Sequence, residues 1–471
     1  MNVILTMSSF IFPLITFPYT SRILLPIGTG KVAFANSVVN YFLLLAQLGI
    51  PTYGIRACAK VRENEEKLSK TVQEILVINL FMCVISYVLF FIILYFVPRF
   101  QDERTLLIIT SGSILFTTLG VEWFFKAMEM YSYIAWRSII FKCIGIGAMF
   151  LLVKEQSDYV IYGAILIFAS SASGILNFIY LHKLVNLKKR NHLNLKKHLK
   201  PIFIFFAMSC ATTVLNLDTT MIGLINTDAD VGYYNTAVKL KNMLVCIVTS
   251  LGAVLLPRVT SYLEKKEIEK FQILSKKAIC FVLFISIPMI AYFFVYARQV
   301  VLLLSGEQYI DAIVPMRIML PTLLFIGLTN LMGIQILVPM GKEEKVLEST
   351  IVGAMIDLIL NMILIPKYSV VGAAIGTVTA EFMVFIYQYF SARTLFKELF
   401  KNINTCPYII STIIATLSSV WTLHLEIGTL MILLLSSMCF GIVYLLCLLI
   451  LKDYFIQEII GRVLIKAGKK E

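Results

Sequence analysis

Five cations stand where cations are costly. Arg22, Arg56, Lys239, Lys241 and Arg258 lie inside or at the ends of apolar runs long enough to cross a bilayer. A charge at mid-bilayer costs roughly 2.5–3.5 kcal/mol even on insertion-based scales, so such groups are expected to face a cavity or one another. Arg and Lys hold phosphate through charge-assisted hydrogen bonds, and Arg can do so bidentately. A mainly cationic set around a bundle interior therefore implies an anionic ligand. Arg56, Arg137 and Arg258 also fit a plainer account, in which long side chains near a membrane edge snorkel to the headgroups. Asp218 and Lys239 lie deeper, and an ion pair between them is the plain alternative there. Asp218 and Glu381 are the candidates for ion coupling, to H⁺ or Na⁺. Glu122, Lys142, Arg317 and Asp357 complete the ionisable groups within or beside the runs.

Other chemistries find little support. Gly28-Thr29-Gly30-Lys31 has the look of a phosphate loop, but Leu25 stands where the first glycine is needed and Val32 where the hydroxyl is needed. It reads instead as a turn between two helices. No Ser/His/Asp set or carboxylate pair suggests hydrolysis, so the chain is not expected to be an enzyme. His182, His192, His198 and His424 all fall in or beside loops and read as solvated. The nine cysteines include no CxxC pair and no metal-ligand spacing, and most lie in apolar runs as small hydrophobes. No metal or bound cofactor is expected.

The elements that must carry the five cations are membrane spans. The chain is 59% hydrophobic and only 15% charged, far from the roughly 25% charged residues of globular proteins. Its net charge of +13 sits in short clusters between apolar runs. That is the pattern of loops facing an anionic leaflet, not of a nucleic-acid-binding surface. With about 20 apolar residues per crossing, about fourteen spans can be placed, from Val3–Leu25 and Val32–Ile55 to Pro407–Leu425 and Thr429–Leu451. The first lacks a positive lead and a small-residue cleavage site, so it reads as a span and not a signal peptide. Alternate loops hold about thirty Lys and Arg against about six, which by the positive-inside rule puts both termini in the cytoplasm. Prolines at 13, 18, 51, 288, 315 and 321 interrupt spans, and the pair in the first favours a moving element. Gly372-Ala373-Ala374-Ile375-Gly376 is a face for close helix packing. Arg298–Ile310 reads as an interfacial helix or loop.

An internal repeat organises these spans. Gly30–Arg56 and Gly232–Arg258 have equal lengths, and a constant offset of 202 places Gly30, Ala35, Asn40 and Arg56 on Gly232, Ala237, Asn242 and Arg258. Each arginine leads into a charged amphipathic segment, Val61–Glu74 or Thr260–Lys277, and LSK occurs in both. Two related halves in parallel orientation follow, a common transporter plan.

Several stretches carry a resemblance to a known family. FPLITFPYTSRIL (Phe12–Leu24), GTGKVAFANSVVNYF (Gly28–Phe42) and LGIPTYGIRACAKVREN (Leu48–Asn64) are similar to the bacterial polysaccharide-repeat-unit flippases, the O-antigen and capsule flippases. So are NLDTTMIG (Asn216–Gly223), GYYNTAVKL (Gly232–Leu240), LLPR (Leu255–Arg258) and LNMILIPKYSVVGAAIGTVTAE (Leu360–Glu381). The family is part of the multidrug/oligosaccharidyl-lipid/polysaccharide exporter superfamily. The resemblance covers nearly the whole chain. One departure is the family's short basic lead-in, which is missing: Met1-Asn2 opens directly onto the first span, as in a shortened start.

The resemblance implies an all-α integral membrane protein with two pseudo-symmetric six-helix lobes and two C-terminal helices around a cationic cavity. The expected lobes are residues 1–182 and 201–391, joined by a basic linker at 183–200 and followed by two helices and a tail at 392–471. It implies movement of undecaprenyl-pyrophosphate-linked oligosaccharide across the bacterial cytoplasmic membrane by alternating access, beside a polysaccharide polymerase and other assembly proteins. Two rivals share the fold: a cation-coupled multidrug exporter, whose cavity should be acidic, and a peptidoglycan lipid-precursor flippase. A membrane-embedded polymerase or glycosyltransferase predicts a long polar catalytic loop, and the chain has none.

Overall fold

A bilayer leaves a crossing chain no water to satisfy its backbone, so helices are the expected solution. The computed structural model describes residues 2–186, 193–214, 217–250, 252–401, 403–453 and 455–457, and every regular element among them is helical. Lys188, Lys189, Arg190 and His192 of the expected linker, and Arg462, Lys466, Lys469 and Lys470 of the tail, lie outside the described residues. The chain forms two compact units, Met1–Asn235 and Thr236–Glu471.

The first unit holds α1 (Asn2–Gln47), α2 (Ile50–Ala59), α3 (Glu65–Phe96), α4 (Pro98–Asp102), α5 (Arg104–Gly120) and α6 (Glu122–Ala127). It continues with α7 (Tyr131–Leu152), α8 (Tyr159–Ile167), α9 (Gly174–Leu184), α10 (Lys196–Val214), α11 (Asp218–Ile225) and the first turns of α12 (Asp228–Thr249). Helix α1 is its axis, packing on α3, α5, α7, α8 and α11. The second unit has the rest of α12, then α13 (Gly252–Glu264), α14 (Ile268–Val295), α15 (Ala297–Ser305), α16 (Ile313–Met319) and α17 (Thr322–Thr329). It closes with α18 (Glu343–Ser391), α19 (Arg393–Phe400), α20 (Cys406–Val420) and α21 (Thr429–Ile450). Here α18 packs on α16 and α17, and α20 and α21 pair with each other beside α14 and α15.

Among the described residues nine helices are long and apolar enough to cross a membrane, or ten with the pair Glu307–Met319 and Thr322–Leu337, bent by 48°. Two of the nine are too long to be single crossings. At about 1.5 Å per residue, α1 and α18 would each exceed twice the roughly 30 Å hydrocarbon thickness. Each is broken at a residue with positive φ, Leu25 (58°) or Ser369 (46°), into two arms of crossing length. The total is compatible with the fourteen spans read from the sequence. Lipid-facing rows such as Phe81, Tyr95, Phe96, Leu151 and Ile450 are exposed, as a membrane solvent allows.

Several local expectations change. The turn expected at Gly28–Lys31 lies earlier, at Leu25 and Pro26, and Gly28–Lys31 is helical. The second span ends at Gln47 and does not run to Ile55, because Leu48 (φ 44°) and Gly49 (φ 73°) turn the chain left-handed. Gly49 has no alternative: a Cβ there would lie 2.5 Å from the Phe206 nitrogen. Pro51 therefore opens α2 instead of bending a span, a position where its missing N–H is no loss. The segment Val61–Glu74 is also not one amphipathic piece. Asn64 caps α3, accepting the Lys67 N–H at 2.9 Å, and Glu65–Glu74 are the first turns of that span. Thr260–Lys277 divides likewise, between the end of α13 and the start of α14. Arg298–Ile310 forms short α15 and a 3₁₀ turn.

Candidate functional site

The repeat legible in the sequence reappears in the helices. α2 begins at Ile50 and α13 at Gly252, again 202 residues apart, each directly after a break in the preceding span. Arg56 and Arg258 therefore occupy the same position on two short helices. Both are exposed, and neither makes an ion pair among the described residues.

Arg22 is exposed on the first arm of α1, three residues before the Leu25 break. Lys239 and Lys241 follow one another on α12, the first half-buried and the second buried. Glu381, on the second arm of α18, is half-buried, and the charge of Lys241 acts on it. That makes Glu381 part of a mixed-charge site within the second unit. Asp218 opens α11 and is buried, where its carboxylate accepts the Tyr234 hydroxyl. Around it lie the Ser37 and Thr220 hydroxyls, 2.6 Å apart, and Tyr41, to which Thr220 donates at 3.3 Å. The other ionisable groups have local tasks. Glu122 pairs with Lys126 at 3.0 Å, and Arg317 donates to the Phe294 carbonyl at 2.9 Å.

In α18 the small-residue face does pack closely. A Cβ on Gly372 would lie 3.0 Å from the Ile365 nitrogen, and one on Gly376 would lie 3.3 Å from Asp357 Oδ1. Asp357 and Asn361 are consequently buried between the two arms. Close by, Asn330–Leu337 is a π-helical stretch in which Gln335 donates to Asn330 Oδ1 at 3.1 Å. π-turns inside spans often mark functional places.

The largest surprise is a histidine. His198 is buried, not solvated, on the first turn of α10. Its Nε2 lies 2.9 Å from Glu74 Oε2 and its Nδ1 lies 2.6 Å from the Tyr53 hydroxyl. A carboxylate only accepts, so Nε2 carries the proton and Nδ1 accepts from tyrosine. Lys197 Nζ joins the same carboxylate oxygen at 2.7 Å, and the Asn194 N–H donates to the other at 2.8 Å. Burial pushes the His198 pKa down, with Glu74 acting in the opposite sense. The network ties α10 to α2 and α3 beside Arg56. Its members are separated by 124 and 145 residues, and no local motif announces it.

Phe284, Pro288, Tyr292, Phe440, Tyr444 and Ile247 line an apolar groove of about 410 Å³ in the second unit. Internal repeats, exposed cations at equivalent positions and an apolar groove thus lie in one polytopic helical membrane protein. Comparison with known proteins makes the class specific. The family model described as polysaccharide biosynthesis protein matches residues 1–263, and the MatE model matches residues 204–363. The chain belongs to the polysaccharide biosynthesis protein family, within the exporter superfamily expected from its motifs.

The putative O-antigen transporter of Escherichia coli (strain K12) is 23% identical over 381 residues, covering 80% of this chain and 91% of that protein. The capsular polysaccharide biosynthesis protein CapF of Staphylococcus aureus is 28% identical over 228 residues, 47% of this chain and 57% of that one. Among solved structures, the lipid II flippase MurJ in an inward closed conformation superposes with TM-score 0.78 at 15% identity, covering 97% of this chain and 99% of that one. An inward-facing multidrug resistance MATE family transporter of the MOP superfamily gives TM-score 0.61 at 16% identity, covering 82% and 95%. These likenesses establish the fold.

Proposed function

We propose that the protein is a flippase, not an enzyme, that carries undecaprenyl-pyrophosphate-linked oligosaccharide repeat units from one leaflet of the bacterial cytoplasmic membrane to the other by alternating access. The observation that carries this reading is the pair Arg56 and Arg258: exposed arginines at equivalent positions in two related halves of a polysaccharide-family protein. They capture the pyrophosphate at entry, and Arg22, Lys239 and Lys241 receive it deeper. The apolar groove beside α14 and α21 takes part of the polyprenyl chain. Residues 1–182 and 201–391 are the two lobes, joined by the basic 183–200 linker on the cytoplasmic side, with both termini in the cytoplasm. Asp218 and Glu381 couple the movement to H⁺ or Na⁺. A polymerase and other assembly proteins use the delivered unit.

The MatE match over residues 204–363 favours a second reading, a multidrug exporter driven by H⁺ or Na⁺. Its cargoes are commonly cationic, and the excess of Arg and Lys here argues against it. Complementation decides between the two. A flippase-null strain should regain surface polysaccharide when it expresses this chain, without gaining drug resistance. Resistance without polysaccharide would reverse the assignment. Reporter fusions after Lys200 and Lys277 test the orientation, and both should report cytoplasm.

A further inference from the structure

The 202-residue offset has a physical counterpart within the first unit. A Cβ on Gly30 would run into the Asp228 carbonyl oxygen and lie 2.9 Å from the Gly232 nitrogen. A Cβ on Gly232 would run into the Pro26 carbonyl oxygen and lie 2.9 Å from Pro26 Cα. Gly30 and Gly232 are repeat equivalents, and so are Pro26 and Asp228. The contact is therefore reciprocal, residue i meeting j′ and j meeting i′, as at a two-fold axis. The second arm of α1 and the start of α12 meet here backbone to backbone, with no side chains between them.

The seam is fastened from the side by Arg99. Its guanidinium pairs with the Asp228 carboxylate, its Nε donates to the Gly223 carbonyl at 3.1 Å, and it lies 5.3 Å from the centre of the Phe34 ring. That ring in turn fills the space left by Gly223, where a Cβ would come within 2.7 Å of Phe34 Cε2. Lys31, one residue beyond Gly30, binds Glu103 at 2.5 Å and sits 4.8 Å from the centre of the Tyr159 ring. The Arg99–Asp228 pair keeps 26% and 16% of its side-chain surfaces exposed. Parting the seam breaks a part-exposed ion pair and lifts the buried Phe34 ring from Gly223. The break at Leu25, five residues before Gly30, supplies a bend beside it.

We propose that the Gly30–Gly232 seam is a seal latched by Arg99, closing the end of the transport path opposite Arg56, and that it must part for cargo to leave there. This rests on the transport reading above. Arg99→Cys and Asp228→Cys, placed together in the full chain, would be joined by a reducible bis-methanethiosulfonate, with the single variants as controls for the native cysteines. The joined protein should lose transport and regain it on reduction. Transport at the unjoined rate would overturn the proposal.

A second measurement needs no cargo. Thr220, buried and hydrogen-bonded at 2.6 Å to Ser37 on the Gly30 face of α1, becomes Thr220→Cys and is labelled with a membrane-impermeant maleimide. Gly30→Ala and Arg99→Gln should each raise labelling several-fold over the otherwise unaltered chain. Arg99→Gln adds no bulk, so it reports even where Gly30→Ala fails to fold. Unchanged labelling in protein inserted at normal levels also overturns the seal. If the unjoined chain moves no lipid-linked saccharide while labelling rises as expected, the transport reading fails and the seal stands.

Discussion

The second arm of α1 meets two different environments at its ends. Near Gly30 the cations are used up internally: Lys31 by Glu103, and Arg99 by Asp228 and a carbonyl. Beyond the other end, after the Gly49 turn, Arg56 is exposed and makes no ion pair among the described residues. Its equivalent Arg258 is placed the same way on α13. In a chain this apolar, partnered cations fasten helices, whereas open ones can bind an anion from outside. Under the proposed function, the contrast separates a closing end from a receiving end on either side of this arm.

The contrast breaks most visibly at the receiving end. Hydrogen bonds to charged groups contribute roughly 1.5–3 kcal/mol, so Arg56→Ala and Arg258→Ala should each lower polysaccharide export about tenfold or more at normal membrane levels. Export at the unaltered rate would leave snorkelling as the better account. Arg→Lys restoring full function at both would reduce the claim to charge alone, without bidentate recognition.

Next comes the frame behind Arg56. Glu74→Ala leaves the buried His198 without its acceptor, an orphan that costs about 1–3 kcal/mol, while the exposed Lys197 and Asn194 N–H can turn to water. Thermal unfolding in detergent should register a clear loss, while Glu74→Gln should lose less. The same network gives a pH signature. The His198 pKa is held below the ordinary 6.5 by burial, so below pH 6.5 the unfolded chain binds a proton that the folded chain refuses. Stability should therefore fall as pH drops from 6.5 towards the lowered native value, and His198→Gln should flatten that slope. An equal slope in the variant would assign the pH dependence to other groups. The smallest effect belongs to Arg62→Ala. Its pair with Glu129 is exposed on both sides at 2.9 Å, and such pairs are worth roughly 0–1 kcal/mol.

What was legible in the chain follows from the range of the forces involved. Apolar run length defines a crossing locally, so the spans could be read directly, and the offset joining Gly30 to Gly232 and Arg56 to Arg258 survived in a few residue types. Run length ends the first span at Leu25, but the positive φ there and at Ser369 is not legible, because neither residue is a glycine. Pro51 reads as a kink in a span because nothing in the local apolar pattern marks the left-handed turn at Leu48 and Gly49 before it. His198 looked solvated because Tyr53 and Glu74, which bury it, are distant in sequence. Lys31 has no visible task in the sequence, because its partner Glu103 lies 72 residues away. The depth of Asp218 is legible from its place in an apolar run, but nothing nearby in sequence marks Tyr41 and Ser37 as its surroundings.

The central claim is that the open arginines recognise a pyrophosphate. The most direct measurement reconstitutes the purified full chain in liposomes with two fluorescent cargoes: a polyprenyl-pyrophosphate-linked oligosaccharide, and the same lipid and sugar joined without phosphate. Leaflet exchange is followed by quenching from outside. The account predicts protein-dependent exchange of the pyrophosphate cargo only, lost in the Arg56→Ala, Arg258→Ala double variant. Equal exchange of both cargoes, or exchange untouched by the double substitution, would contradict it.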